Sequence, residues 1–352
     1  MSSIARQSSK DKILLLAVLA TAFVLPLVVT SPSTMQFLIL LLFYAYLTSS
    51  WNLVGGFAGV LPLGHAAFVA LGAYTSTLLY LQYGLSPWLG MLVGGVVAAV
   101  VGIIIGIPTL KMRGAYFALA TIAFAEAIRV LIQNTSQVGP FNVNGPRGLL
   151  INLKGSSFAA YQFTSKASYY YIMLVLLLMV LGVTVLLMRS KLGYYLSAGG
   201  EEPEAAQALG VNVAKYKLLA MALSCFFTAL AGTFYAQLML YISPQNICGL
   251  NLSFEIAFIA LIGGRGTILG PVLGALLLRP LNELTRVYLG GLLPGMHLVI
   301  FGLILVLVMI YQPRGIQEPL TRLYRRLTGG GDDQDHDQDQ DTLPKAKEAV
   351  EL

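Results

Sequence analysis

Apolar residues run in long blocks, at about 13–30, 36–53, 62–82, 87–107, 115–133, 170–188, 217–241 and 293–311. Between Ile13 and Leu110 there is no Asp, Glu, Lys or Arg. A bilayer span needs roughly 20 apolar residues, and no soluble fold calls for so long a stretch without charge. The pattern predicts an all-α, polytopic transmembrane helical bundle, of about 8–10 spans by the length a bilayer demands.

Two glycine-rich stretches interrupt it. In the first, Asn52 to Phe68 (NLVGGFAGVLPLGHAAF), Gly55, Gly56, Gly59 and Gly64 break the helical pattern and Pro62 lacks a backbone donor. In the second, GGRGT (Gly263–Thr267) separates Ser253–Ile262 from Thr267–Leu278, each too short to span at 1.5 Å per residue. These predict broken helices, the second as a re-entrant hairpin or a pair of short tilted spans. Non-helical backbone at membrane depth survives only where protein or a water-filled cavity surrounds it, so Gly55, Gly56, Gly59, Gly64, His65, Gly263, Gly264 and Gly266 are candidates to line a solute path. Tight helix packing is the competing reading for the GxxxG pairs Gly55/Gly59 and Gly270/Gly274, and the preferred one for Gly90/Gly94 and Gly102/Gly106.

Charge then orients the spans. Only 11% of the 352 residues are charged, against about 25% in a soluble protein. The arm at 1–12, Lys111/Arg113, Arg189/Lys191, Lys215/Lys217 and the tail from Arg314 to Arg326 belong inside by the positive-inside bias, so both termini are expected in the cytoplasm. Connections near 31–35, 83–86 and 242–252 carry no Lys or Arg and belong outside, as does the long loop 134–169. Ala20-Thr21-Ala22 has the form of a signal-peptidase site, but the apolar run continues through Val29, which favours an uncleaved first span. The membrane domain is thus 13–316, followed by a tail, 317–352, whose acidic run Asp332–Asp341 predicts disorder.

Between the 170–188 and 217–241 runs lies a polar, small-residue loop, 192–216. Glu201, Glu202 and Glu204 surround Pro203, which suits the first turn of a short helix, and Gly210 suits its stop. A helix this short is marginal alone. It is either a knob that docks into another protein or a solvated loop, and spacing leaves both open.

Ionisable groups inside spans are costly and therefore candidates for function. His65 could bond a solute or a neighbouring carbonyl. Glu126 and Arg129 lie three apart and predict an ion pair near the outer end of their span. Glu255 suits a helix N-terminus, Arg265 sits in the second break, and Arg279, Glu283 and Arg286 follow it. No GxxxxGK[ST], HExxH, paired CxxC or GxSxG occurs, so neither an ATP-binding loop nor enzymatic chemistry is expected. Cys225 and Cys248 are too few for a metal or disulfide framework. No metal, cofactor or nucleic acid is called for.

Five blocks carry a resemblance: GHAAFVALGAY (Gly64–Tyr74), PTLKMRGAYFALATIAFAEAIR (Pro108–Arg129), EAAQALGVNVAKYKLLAMALS (Glu204–Ser224), SFEIAFIALIGGRGTILGPVLGA (Ser253–Ala275) and HLVIFGLILVLVMIYQPRGI (His297–Ile316). In this order they resemble the LivM-like inner-membrane permease subunits of branched-chain amino acid ABC importers. The resemblance implies a heterodimer with a second permease, two cytoplasmic ATPases as energy source and an extracytoplasmic solute-binding protein. It also makes the acidic loop a coupling element, with Glu204, Ala205, Ala206 and Gly210 at the matching places. Two departures stand out: Ala198-Gly199-Gly200 replaces basic residues usual before the acidic pair, and Pro62 replaces a small polar residue. The implied substrate is a branched-chain amino acid, with urea or short amides as the alternative. A stand-alone secondary transporter or channel should show an inverted repeat, and none is evident.

Overall fold

The structure is a computed structural model that describes residues 20–29, 31–138, 141–153, 155, 157–289, and 302, 303, 306, 310, 315 and 316. The N-terminal arm, most of the 293–311 run and the 317–352 tail lie outside the described residues.

The described helices are α1 (20–28), α2 (Pro32–Asn52), α3 (His65–Tyr83), α4 (Pro87–Thr109), α5 (Ala115–Asn134), α6 (Lys166–Arg189), α7 (Lys191–Glu201), α8 (Pro203–Ala208), α9 (Val213–Met239), α10 (Pro244–Ile247), α11 (Leu250–Gly264) and α12 (Gly270–Leu289). Six spans, of which Pro32–Phe57 and Pro244–Gly264 each join two elements, are long and apolar enough to cross a bilayer, among the described residues. α3 and α12, of 19 and 20 residues, match them in length. The chain is an all-α, multi-pass bundle. Helix limits follow local chemistry: Pro32 and Pro87 occupy first-turn positions that need no N–H donor, and Gly84 closes α3 in the left-handed conformation.

α3, α4 and α9 form the tightest part, because small residues let their backbones meet. Gly72 lies on Ala229, and Gly232 on Val69. Gly90 and Gly94 of α4 meet Ser76 and Gly72, and Gly102 meets Cys225, the packing role expected for those glycines. On the other side α2 packs against α6, α11 and α12, with Phe43, Tyr46, Leu47 and Trp51 fully buried.

The connections gather at two ends. At one end β3 (Leu149–Leu150) pairs with β4 (Tyr241–Ile242), and β1 (Gln137–Val138) with β2 (Phe141–Asn142). There Trp88 Nε1 donates to Phe158 O at 2.8 Å, and Lys166 Nζ to Pro32 O at 3.3 Å. The opposite end holds α7, α8 and both chain breaks.

Two expectations need correction. The 192–216 stretch is not a loop around one short helix, since Ser197–Gly200 belongs to α7. The 253–286 region is two helices meeting at the glycine break, as expected, but both are longer than the expected Ser253–Ile262 and Thr267–Leu278. α11 continues α10, so Pro244–Gly264 is a 21-residue span, and α12 runs on past Leu278 to Leu289. The apolar pattern stops at Arg279, but the helix does not, because that guanidinium is paired inside the bundle. α11 and α12 therefore form a helical hairpin, and a methyl group on Gly263 or Gly274 would collide with backbone of the facing helix.

Candidate functional site

The first break begins as a π-turn, Leu53–Phe57, continues without helix to Gly64, and resumes as α3 at His65. It folds back beside α2: Trp51 Nε1 donates to Pro62 O at 2.7 Å, and Leu63 N to Thr121 Oγ1 at 3.0 Å. Gly55 sits against the Trp51 ring and Gly64 against the Thr121 carbonyl. His65 Nε2 lies 2.8 Å from Ser224 Oγ, whose own proton goes to Ser50 O at 2.7 Å. The serine has one proton, so Nε2 is the donor of that bond. Among the described residues the buried Nδ1 of His65 has no hydrogen-bond partner. His65 also borders a cavity of about 10 Å³ shared with Pro62, Gly64 and Thr121, room for about one water. His65 thus ties α3 to α9 and α2.

The second break meets the first through Asn52, a residue that sequence reasoning passed over. Its Nδ2 donates to Thr267 O at 2.7 Å and its Oδ1 accepts from Gly266 N at 2.9 Å. Gly56 lies directly against Gly266. Thr267 Oγ1 accepts from Gly270 N at 3.1 Å, capping α12. Gly264 abuts Gly315, and Ile316 N donates to Ile262 O at 2.8 Å. Arg265, expected at membrane depth, is exposed at the end of the bundle. The usable signal was an uncharged polar side chain heading a glycine break, where free backbone groups need partners.

The α7–α8 unit lies against these breaks. Gly59, at φ +69°, touches Gly200, and a Cβ there would fall 2.5 Å from Gly200 O. Neither position tolerates a side chain, so the Ala198-Gly199-Gly200 departure makes room for the first break. Beyond it Glu201, Glu202, Glu204 and Ala205 are exposed, while Ala206 is buried. Gly210 turns at φ +85°, and the neighbouring Leu209 is 86% exposed. Arg113, from the α4–α5 turn, bonds Glu204 at 2.9 Å. Both partners are exposed, so the bridge orients α8 more than it stabilises it.

Ion pairs also lie within the helices, among the described residues. Arg129 Nε donates to Glu126 Oε2 at 2.9 Å, Nη2 bonds Oε1, and Nη1 donates to Gln133 Oε1 at 2.8 Å. Glu255 does not join them and does not serve a helix N-terminus. It lies a turn inside α11 and accepts from Arg279 Nη1 at 2.6 Å, Asn282 Nδ2 at 3.2 Å and Tyr44 OH at 2.9 Å. The Arg279 guanidinium also stacks over the Tyr44 ring at 4.0 Å. This cluster, joining α2, α11 and α12, is the larger buried polar feature of the two.

The profile of the branched-chain amino acid transport system / permease component family matches residues 33–309. The chain belongs to that family. The permease is 32% identical to the high-affinity branched-chain amino acid transport system permease protein LivM of Escherichia coli (strain K12), over 91% of this chain and 78% of the relative. The nucleoside ABC transporter permease protein NupC of Lactococcus lactis subsp. cremoris is 27% identical over 67% of this chain and 76% of its own length. LivH of Salmonella typhimurium, a permease of the same transport system name, is 26% identical over 78% of this chain and 90% of its own. No solved structure matches the permease. It is a multi-pass membrane transport subunit.

Proposed function

We propose that this chain is the LivM-type half of an ABC importer that moves branched-chain amino acids inward across the plasma membrane. The observation that carries this is the 32% identity with LivM across nine-tenths of the chain, more extensive than the likeness to the nucleoside permease. The partners are a second permease, two cytoplasmic ATPases and an extracytoplasmic binding protein. Both termini and α7–α8 face the cytoplasm, and the β3–β4 end faces out, as the Lys and Arg distribution favours. The bundle interior has few charges, which suits a zwitterion with an apolar side chain better than an ion.

In this reading α8 is the coupling element. Glu204, Ala205 and Leu209 are offered to the ATPase, with Glu201 and Glu202 beside them, Ala206 as the buried anchor and Gly210 as the turn. Closure of the ATPases pushes α8, α7 carries the push to Gly200, and Gly59 passes it to the two breaks. Gly55, Gly56, Gly64, His65, Gly263, Gly264 and Gly266 then form the deformable inner floor of the path. No covalent chemistry is required of this chain.

The test is uptake by the reconstituted complex. Leucine, isoleucine and valine should accumulate in an ATP-dependent way, and a preference for nucleosides, urea or acetamide would refute the substrate assignment. Glu204→Arg faces Arg113 with like charge and reverses the sign offered to the ATPase. Uptake should fall at least about tenfold while ATP hydrolysis and assembly persist. Undiminished uptake in that variant would remove the coupling role.

A further inference from the structure

At the β3–β4 end of the bundle the chain makes a short hairpin. Ser157 N donates to Gln162 O at 2.9 Å, and Gln162 N to Ser157 O at 3.2 Å. From its tip Tyr161 drops into the bundle and is 0% exposed. The Tyr161 ring lies 4.2 Å from Trp88, 6.4 Å from Tyr169 and 6.5 Å from Phe234, centroid to centroid. It is held there at φ +56°, a left-handed conformation that is an outlier for a bulky residue. Backbone strain of this kind gathers at clamps and switch segments.

What Tyr161 covers is polar. Gln237 is also fully buried, and neither atom of its amide has a hydrogen-bond partner among the described residues. The Tyr161 hydroxyl is unpartnered too. The two residues are neighbours. The Tyr169 hydroxyl lies 3.4 Å from the backbone oxygen of each, and Gln237 follows Phe234 by three positions, on the same face of α9. A buried donor or acceptor without a partner forfeits its hydration and regains it when the cover lifts. Three such atoms and a left-handed tyrosine therefore all disfavour the covered state. Ring stacking opposes them, with two bonds at the rim: Ser86 Oγ donates to Ala159 O at 2.6 Å, and Trp88 Nε1 to Phe158 O at 2.8 Å. The bonds between Ser157 and Gln162 are internal to the hairpin, so it can rise as a unit.

We infer that the 157–162 hairpin is a plug in the outer mouth of the bundle, with Tyr161 as its stopper and Gln237 as the polar group uncovered when it lifts. The outward sense of the mouth rests on the functional reading above, in which a solute enters there. An amide that both donates and accepts suits a dipolar solute. The lifting itself belongs to the fold and is tested without a solute.

The experiment places Gln237→Cys in the whole complex, reconstituted in vesicles, and follows its reaction with a membrane-impermeant maleimide. Native Cys225, buried on the same helix, reacts only if the bundle itself comes apart. Adding Tyr161→Ala should speed labelling of the introduced thiol at least about tenfold, as local opening becomes easier, with Cys225 silent. Adding Tyr161→Phe instead keeps the ring and removes the unpartnered hydroxyl, so labelling should slow at least about threefold. A packing role alone would not give the two changes opposite signs. Equal rates in all three backgrounds, faster labelling with Tyr161→Phe, or no labelling of Gln237→Cys at all would overturn the plug. Should Tyr161→Ala let Cys225 react, Tyr161→Phe decides alone. If the unsubstituted complex takes up no branched-chain amino acid, the functional reading falls by itself, and the labelling rates still judge the plug.

Discussion

Arg279→Leu is expected to be among the most destabilising single changes in the bundle. It leaves the Glu255 carboxylate among α2, α11 and α12 with only the Tyr44 hydroxyl and the Asn282 amide as donors. The two ionised side chains are 11% and 19% exposed, so solvent cannot take over the role of the guanidinium. Removing one partner of a buried pair costs about 3–5 kcal/mol, chiefly because the other charge is stranded. The remedy follows from the same reasoning. Glu255→Gln added to Arg279→Leu removes the stranded charge, while the Gln carbonyl still accepts from Tyr44 and Asn282. The double variant should recover at least about 2 kcal/mol relative to Arg279→Leu alone. Thermal unfolding of the purified complex, followed in a four-point double-mutant cycle, measures both terms. If Arg279→Leu unfolds with the wild type, or if Glu255→Gln makes it worse, the pair does not anchor α12.

That pair also marks where the sequence stops being readable. Spans bounded by local punctuation were legible: the runs 87–107 and 115–133 became α4 (Pro87–Thr109) and α5 (Ala115–Asn134), since Pro and Gly report on their own backbone. α12 was cut short at Leu278 because a charge reads as the end of a span until its partner is known, and Glu255 lies 24 positions away. Ser197–Gly200 read as a loop for a related reason. Its residues carry no apolar period, and they are helical because Gly199 and Gly200 fit against Val213 and the first break. The candidate coupling residues and both glycine breaks were visible as composition. Their meeting was not, since it depends on side chains and backbones far apart in the chain.

Asn52 is the sharpest case, and its replacement should have the second large effect. A single amide serves backbone 215 and 214 residues away, donating to Thr267 O and accepting from Gly266 N. Asn52→Ala removes both bonds, so the part-buried Gly266 N–H and Thr267 carbonyl lose their partners at about 1 kcal/mol each. The consequence is not only stability. In the proposed cycle the push from α8 reaches the first break through Gly59, and Asn52 is the hydrogen-bonded link by which the second break must follow. Loosening it should lower uptake at least about tenfold while the complex still hydrolyses ATP. Ser49→Ala supplies the control, because Ser49 is buried in the same helix but bonds only Ala45 O within it. That variant should stay within about 0.5 kcal/mol of the wild type and transport normally. If Asn52→Ala behaves like Ser49→Ala in both stability and uptake, the two breaks move independently, and the link between them is packing alone.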